Sequence, residues 1–145
     1  MKKLYLLDTN VVSEFSKERP NAQVLSFYEA RKHLCAVSSI TWQELTRGVE
    51  RLPEGRRKKY LQQCLDRYEE NFDVIPYDKF SARICGEIQA SAEKDGKTLS
   101  CYDSQIAATA VSNGMVLVTR NTADFEPVKE KSFLRMEDWF SQAAV

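Results

Sequence analysis

Only one histidine, His33, occurs in the chain, so a mechanism resting on an imidazole base would depend on a residue set in a polar Arg-Lys-His stretch typical of a helix end. Five glycines and four prolines among 145 residues, with 43% hydrophobic content, exclude disorder and collagen-like repeats. No apolar run approaches the roughly 18 residues of a membrane span. Leu4 to Leu7 follow Met-Lys-Lys like the start of a signal peptide, but Asp8 ends the run too early for one. Cys35, Cys64, Cys85 and Cys101 lack the close pairs of a zinc site or redox motif and are expected to be reduced packing residues in a soluble, cytoplasmic protein. Net charge is missing too: 21 Lys and Arg balance 21 Asp and Glu. A nucleic acid would have to be held by a local patch or by metal ions.

What is present suits one domain over residues 1–145, since a chain of about 150 residues buries roughly 70% of its unfolded surface without staples. Short apolar runs alternate with helical patterns. Leu4–Leu7, Leu34–Val37, Val74–Tyr77, Met115–Thr119 and Phe133–Met136 read as strands, the first buried on both faces and therefore central. Helical spacing marks Val11–Lys17, a segment around Val24–Tyr28, Ile40–Arg51, Arg56–Phe72, a stretch from Phe80 to Asp95-Gly96, and Tyr102–Asn113 with Gly114 as its left-handed stop. The expected fold is α/β, a three-layer α/β/α arrangement with a central parallel sheet of four to five strands.

Ligands of open parallel sheets bind beyond the carboxyl ends of the strands, and those positions are acidic here. Asp8 ends the first strand, Glu44 lies early in the helix after the second, Asp103 opens the helix leading to the Met115 strand, and Asp124 follows that strand by five residues. Each has an ordinary explanation as well. Thr41-x-x-Glu44 and Ser100-x-x-Asp103 fit capping boxes, Asp8 fits an N-cap and Asp124 a turn. Four caps need not share one sheet edge, however, and clustered carboxylates raise one another's proton affinity unless cations neutralise them. Mg2+ or Mn2+ is the natural partner of such oxygens. Metal-assisted phosphodiester cleavage requires no histidine.

In order and spacing, Leu7-Asp8-Thr9-Asn10-Val11-Val12-Ser13-Glu14, Ser38-Ser39-Ile40-Thr41-Trp42-Gln43-Glu44-Leu45-x-x-Gly48, Asp103-x-x-Ile106-Ala107 and Val118-Thr119-Arg120-Asn121-x-x-Asp124-Phe125 resemble the PIN-domain ribonuclease toxins of VapC and FitB type. The likeness spans roughly residues 4 to 140. It implies a Mg2+- or Mn2+-dependent endoribonuclease, the toxin half of a bacterial type II toxin-antitoxin pair, with transfer RNA as the family-based substrate. Asp8, Glu44, Asp103 and Asp124 fall at the family's metal-binding acids, and Asn10, Thr119 and Asn121 at supporting positions, with Asn121 the alternative to Asp124 as the fourth group facing the metal. It further implies a homodimer, a VapB- or FitA-type antitoxin that enters the active-site groove, and contact with DNA only through that antitoxin. Ser100-Cys101-Tyr102 departs from the Pro or Gly that many relatives carry ahead of the third acid. Near the expected cleft, Arg47, Arg51 and Arg120 are the candidate RNA contacts, ahead of the solvated Arg56-Arg57-Lys58-Lys59 run, and Trp42 is a candidate base-stacking residue. Two other functions use acids beyond strands: a phosphoacceptor domain, which would need a lysine where Arg120-Asn121 stand, and a catalytically silent acidic docking module.

Overall fold

The computed structural model describes residues 2–141. Among them β1 (Tyr5–Leu7), β2 (Cys35–Ser38), β3 (Asp73–Ile75), β4 (Val116–Val118) and β5 (Arg135–Glu137) form one sheet in the order β3-β2-β1-β4-β5. Every pairing is parallel, and Leu6 sits opposite both Ala36 and Leu117. Successive side chains therefore leave the sheet on opposite faces. Leu6, Ala36 and Leu117 join one core cluster, while Leu7, Val37 and Val118 join the other. That division is why the central run is continuously apolar.

Among the described residues seven α-helices cover the faces: α1 (Thr9–Glu14), α2 (Ala22–Arg31), α3 (Ser39–Glu50), α4 (Arg56–Asn71), α5 (Lys79–Lys94), α6 (Cys101–Ser112) and α7 (Thr122–Glu130). The first cluster takes Ile40 from α3, Ile88 from α5, Ile106, Ala107 and Ala110 from α6, and Phe125 and Val128 from α7. The small α6 residues let that helix approach the sheet closely. Val11, Val12, Val24 and Phe72 build the second cluster, closed by Trp139, which is 0% exposed. Gly114, at φ 64°, stops α6: its N–H reaches Val111 O, and the N–H of Met115 reaches Ala110 O, the paired bonds of a Schellman end.

Most element boundaries shift by only one or two residues from the periodicity. Leu4, placed in the first strand by its apolar side chain, lies just outside β1 and is exposed. Two differences matter more. Helix α7 occupies a stretch to which the periodicity assigns no element, with Pro127 inside it. Thr41 and Glu44 do not form a capping box either, because α3 begins at Ser39 and its N-cap is Ser38, whose hydroxyl accepts the N–H of Thr41. Ser100 does cap α6, accepting the N–H of Asp103. Cys35, Cys64 and Cys85 are buried free thiols, whereas Cys101 is exposed rather than packed. No described helix is long and apolar enough to cross a membrane.

Candidate active site

The chain leaves β1 for β2 on one side and places β4 on the other, so the sheet order reverses at β1. Connections diverge there and open a crevice at the carboxyl edge. A cleft of about 410 Å³ lies at this point, lined among others by Asp8, Asn10, Glu44, Asp103, Arg120 and Asn121. Asp8, Glu44 and Asp103 come from the end of β1, the second turn of α3 and the first turn of α6.

Asp8 is held most firmly. It caps α1 by accepting the Thr9 N–H on Oδ1 at 2.8 Å, while Oδ2 accepts the Thr119 hydroxyl at 2.8 Å and the Asn10 amide at 3.0 Å. Thr119 is fully buried and also accepts the N–H of Asn121. Asn10 in turn accepts the N–H of Arg120 on its side-chain oxygen. The β1 and β4 ends are thus tied together through the supporting residues expected from the sequence. Thr9 ties in the third element, donating its hydroxyl to Glu44 Oε1 at 2.7 Å with the Thr41 hydroxyl 3.2 Å away.

Burial and mutual repulsion set the electrostatics. Burial pushes the Asp8 carboxyl above its ordinary range; its hydrogen bonds oppose the rise and the Glu44 charge adds to it. Asp103 is raised by burial and then by the charges of Asp8 and Asp124. Burial also raises Glu44, where the Thr9 hydrogen bond opposes and Asp103 assists. A site that disfavours its own ionised state is one that a cation would relieve.

Asp124 stands apart from the other acids. It lies exposed in the first turn of α7, outside the cleft lining, and reaches the site through its charge on Asp103. Among the described residues no three Asp, Glu, His or Cys side chains are drawn together tightly enough to ligate one ion jointly. Hard oxygen donors facing a shared cleft fit a hydrated divalent ion, because Mg2+ retains several waters and takes only one or two carboxylates directly.

A second cavity of about 780 Å³ runs between α1, α3 and α4 and shares Thr9, Ser13, Lys17 and Glu44 with the cleft. Its far wall is positioned by Tyr60 and Tyr68, whose hydroxyls donate to the carbonyls of Ser16 and Val12. Arg51 and Arg57 line this groove, Arg120 lines the cleft, and Arg47 lines neither, though its charge lowers Glu44. Trp42 is half-buried and lines neither cavity. Two participants escaped the sequence reading. No local pattern links Thr9 to Glu44, 35 positions on. Glu14 did leave a signal, a charge three residues after Val11 on the apolar side of α1.

The PIN domain family profile matches residues 5–131. The chain belongs to the PIN-domain family. Among proteins similar to this PIN domain is the tRNA(fMet)-specific endonuclease VapC of Shigella flexneri, 32% identical over 135 residues, or 93% of this chain and 97% of that enzyme. Toxin FitB of Neisseria gonorrhoeae is 33% identical over 129 residues, covering 84% of this chain and 91% of the toxin. The crystal structure of FitAcB from the same organism superposes with a TM-score of 0.85 at 29% identity, covering 96% of this PIN domain and 100% of that chain.

Proposed function

We propose that the protein is a metal-dependent endoribonuclease acting as the toxin of a type II toxin-antitoxin pair, with transfer RNA as its substrate class. Asp8, Glu44 and Asp103 would hold Mg2+ or Mn2+, and Asp124 would add negative charge from the α7 rim. The observation that carries this reading is that three carboxylates from three separate elements line one cleft and burial holds each above its ordinary proton affinity. When bound, the ion supplies a water activated for attack and charge to steady the leaving oxygen.

The protein's own residues do the positioning. Thr119 and Asn10 fix Asp8 Oδ2, and Thr9 turns Glu44 toward the cleft, so neither carboxylate has to search for its orientation. Arg120 contributes a cation at the cleft wall, its guanidinium resting 4.7 Å from the Phe140 ring. An antitoxin segment laid in the larger groove beside the cleft would bar that groove to RNA.

Asp8→Asn keeps the side-chain shape while removing the charge. Cleavage of a transfer RNA pool in Mn2+ is expected to fall at least about a hundredfold in this variant and to vanish in chelator. Equal turnover by the variant, at the same metal concentration, overturns the reading.

A further inference from the structure

We propose that Lys17 contacts a backbone phosphate of the RNA and leads the strand from the carboxylate cleft into the neighbouring groove, with buried Glu14 as its anchor. This deepens the ribonuclease reading and rests on it.

Glu14 ends α1 and is 4% exposed. Its Oε2 accepts the N–H of Asn21, the residue that caps α2, at 2.8 Å, and its Oε1 holds Lys17 Nζ at 2.8 Å. Burial would raise this carboxyl, but the Lys17 and Asn21 hydrogen bonds, with the charges of Lys17 and Arg120, bring it below its ordinary value. A structural requirement therefore explains Glu14: a buried carboxylate needs a donor and a cation.

It does not explain where Lys17 is displayed. The Lys17 side chain is 54% exposed against 6% for Glu14. An ammonium carries three donors, and among the described residues Glu14 is the one acceptor that Lys17 meets. Of the residues common to the cleft and the groove, Thr9, Ser13, Lys17 and Glu44, it is the only cation. Its ammonium is tethered by a buried partner, so its charge is held at that junction rather than swept through solvent.

A polyanion entering beside Asp8, Glu44 and Asp103 meets repulsion unless cations flank them. Arg120 supplies one at the cleft wall, Lys17 another at the exit, and Arg51 and Arg57 continue the line along the groove. A compact ammonium suits a phosphate approached from varying angles along a mobile strand.

The test measures binding of a short, unstructured, fluorescein-labelled RNA by anisotropy in Mg2+, over a series of KCl concentrations, in an Asp8→Asn background. Lys17→Gln, which keeps a hydrogen-bond donor for Glu14, is expected to reduce the slope of log affinity against log salt by about 0.7 and to weaken binding about fivefold at 0.1 M salt. Lys17→Arg should retain the parent slope. Lys17→Ala serves as the second uncharged variant, and melting curves establish that each is folded. An unchanged slope and affinity in Lys17→Gln and Lys17→Ala, or a loss in Lys17→Arg as large as theirs, overturns the proposal and leaves Lys17 as Glu14's counterion. Failure of the wild-type chain to cleave RNA in Mn2+ is a separate result against the ribonuclease reading, since anisotropy reads binding without turnover. Absence of RNA binding by both the Asp8→Asn parent and the wild-type chain overturns the Lys17 proposal, while wild-type cleavage alone judges the ribonuclease reading.

Discussion

Asp8 illustrates how one side chain serves structure and site together, because a residue that ends a central parallel strand and caps the next helix also faces the carboxyl-edge crevice. The cap is what the structure shows at that position, and the same carboxylate faces the cleft where the proposed ion would sit. The consequence is measurable as pH dependence. Asp8, Glu44 and Asp103 are raised in the fold, so their contribution to stability is fully present below their ordinary values of 3.8 and 4.5 and is lost as pH rises through the folded values. Glu14 has the opposite sign: it is lowered, so its contribution is present above 4.5 and lost as pH falls through the folded value. The metal-free protein should therefore melt highest in mildly acidic buffer. Asp103→Asn is expected to raise the chelator-treated melting temperature at pH 7 by a few degrees, because it removes a charge that burial and the neighbouring carboxylates disfavour. The same substitution should diminish the rise that Mg2+ gives the wild type. Calorimetry at several pH values checks both effects.

At the scale of elements, helix ends were legible wherever the signal was local. Gly114 was expected to stop α6, and its φ of 64° with the two Schellman hydrogen bonds gives the reason. A Cβ there would meet only Lys2 Nζ at 3.9 Å, so Gly114→Ala isolates the backbone effect: about 1 kcal/mol of destabilisation, read by urea unfolding. Helix α7 was not legible. Pro127 breaks the N–H ladder, and the segment is only nine residues long, so its own propensity is weak. Burial of Phe125 and Val128 against the α6 face holds it instead, and that burial carries Asp124 into a helical first turn. Thr41-x-x-Glu44 misled for a related reason. The motif matches a capping box, but the strand before it runs to Ser38, and the cap falls there.

Across the whole molecule, Trp139 ties the segment after β5 back to β1 and α2. Trp139 packs edge-on to Tyr5 at 5.6 Å and stacks on Phe27 at 5.8 Å, and its indole N–H donates to Glu137 at 3.0 Å. Its neighbour Phe140 carries the Arg120 guanidinium at the cleft. Trp139→Ala should cost roughly 3 to 5 kcal/mol, a large share of a domain's stability, and should loosen Arg120 as its support shifts. Denaturant midpoints measure the first effect. Nothing in the local pattern around Trp139 marked it as the largest fully buried side chain, since a short apolar segment near a terminus has no period to read.

The amino-acid order alone determined the strand and helix alternation, the central place of β1, and the identity of the acids at the strand ends, because apolar period, caps and turn residues act between positions a few residues apart. Only the tertiary structure decided which acids share a cleft. Asp8 meets Thr119 across 111 positions and Thr9 meets Glu44 across 35, distances that the parallel register and the helix packing close. The same register leaves Asp124 on the rim and brings Lys17 to the mouth of the groove. Contacts of this kind depend on where whole elements settle against one another, and no local periodicity encodes that.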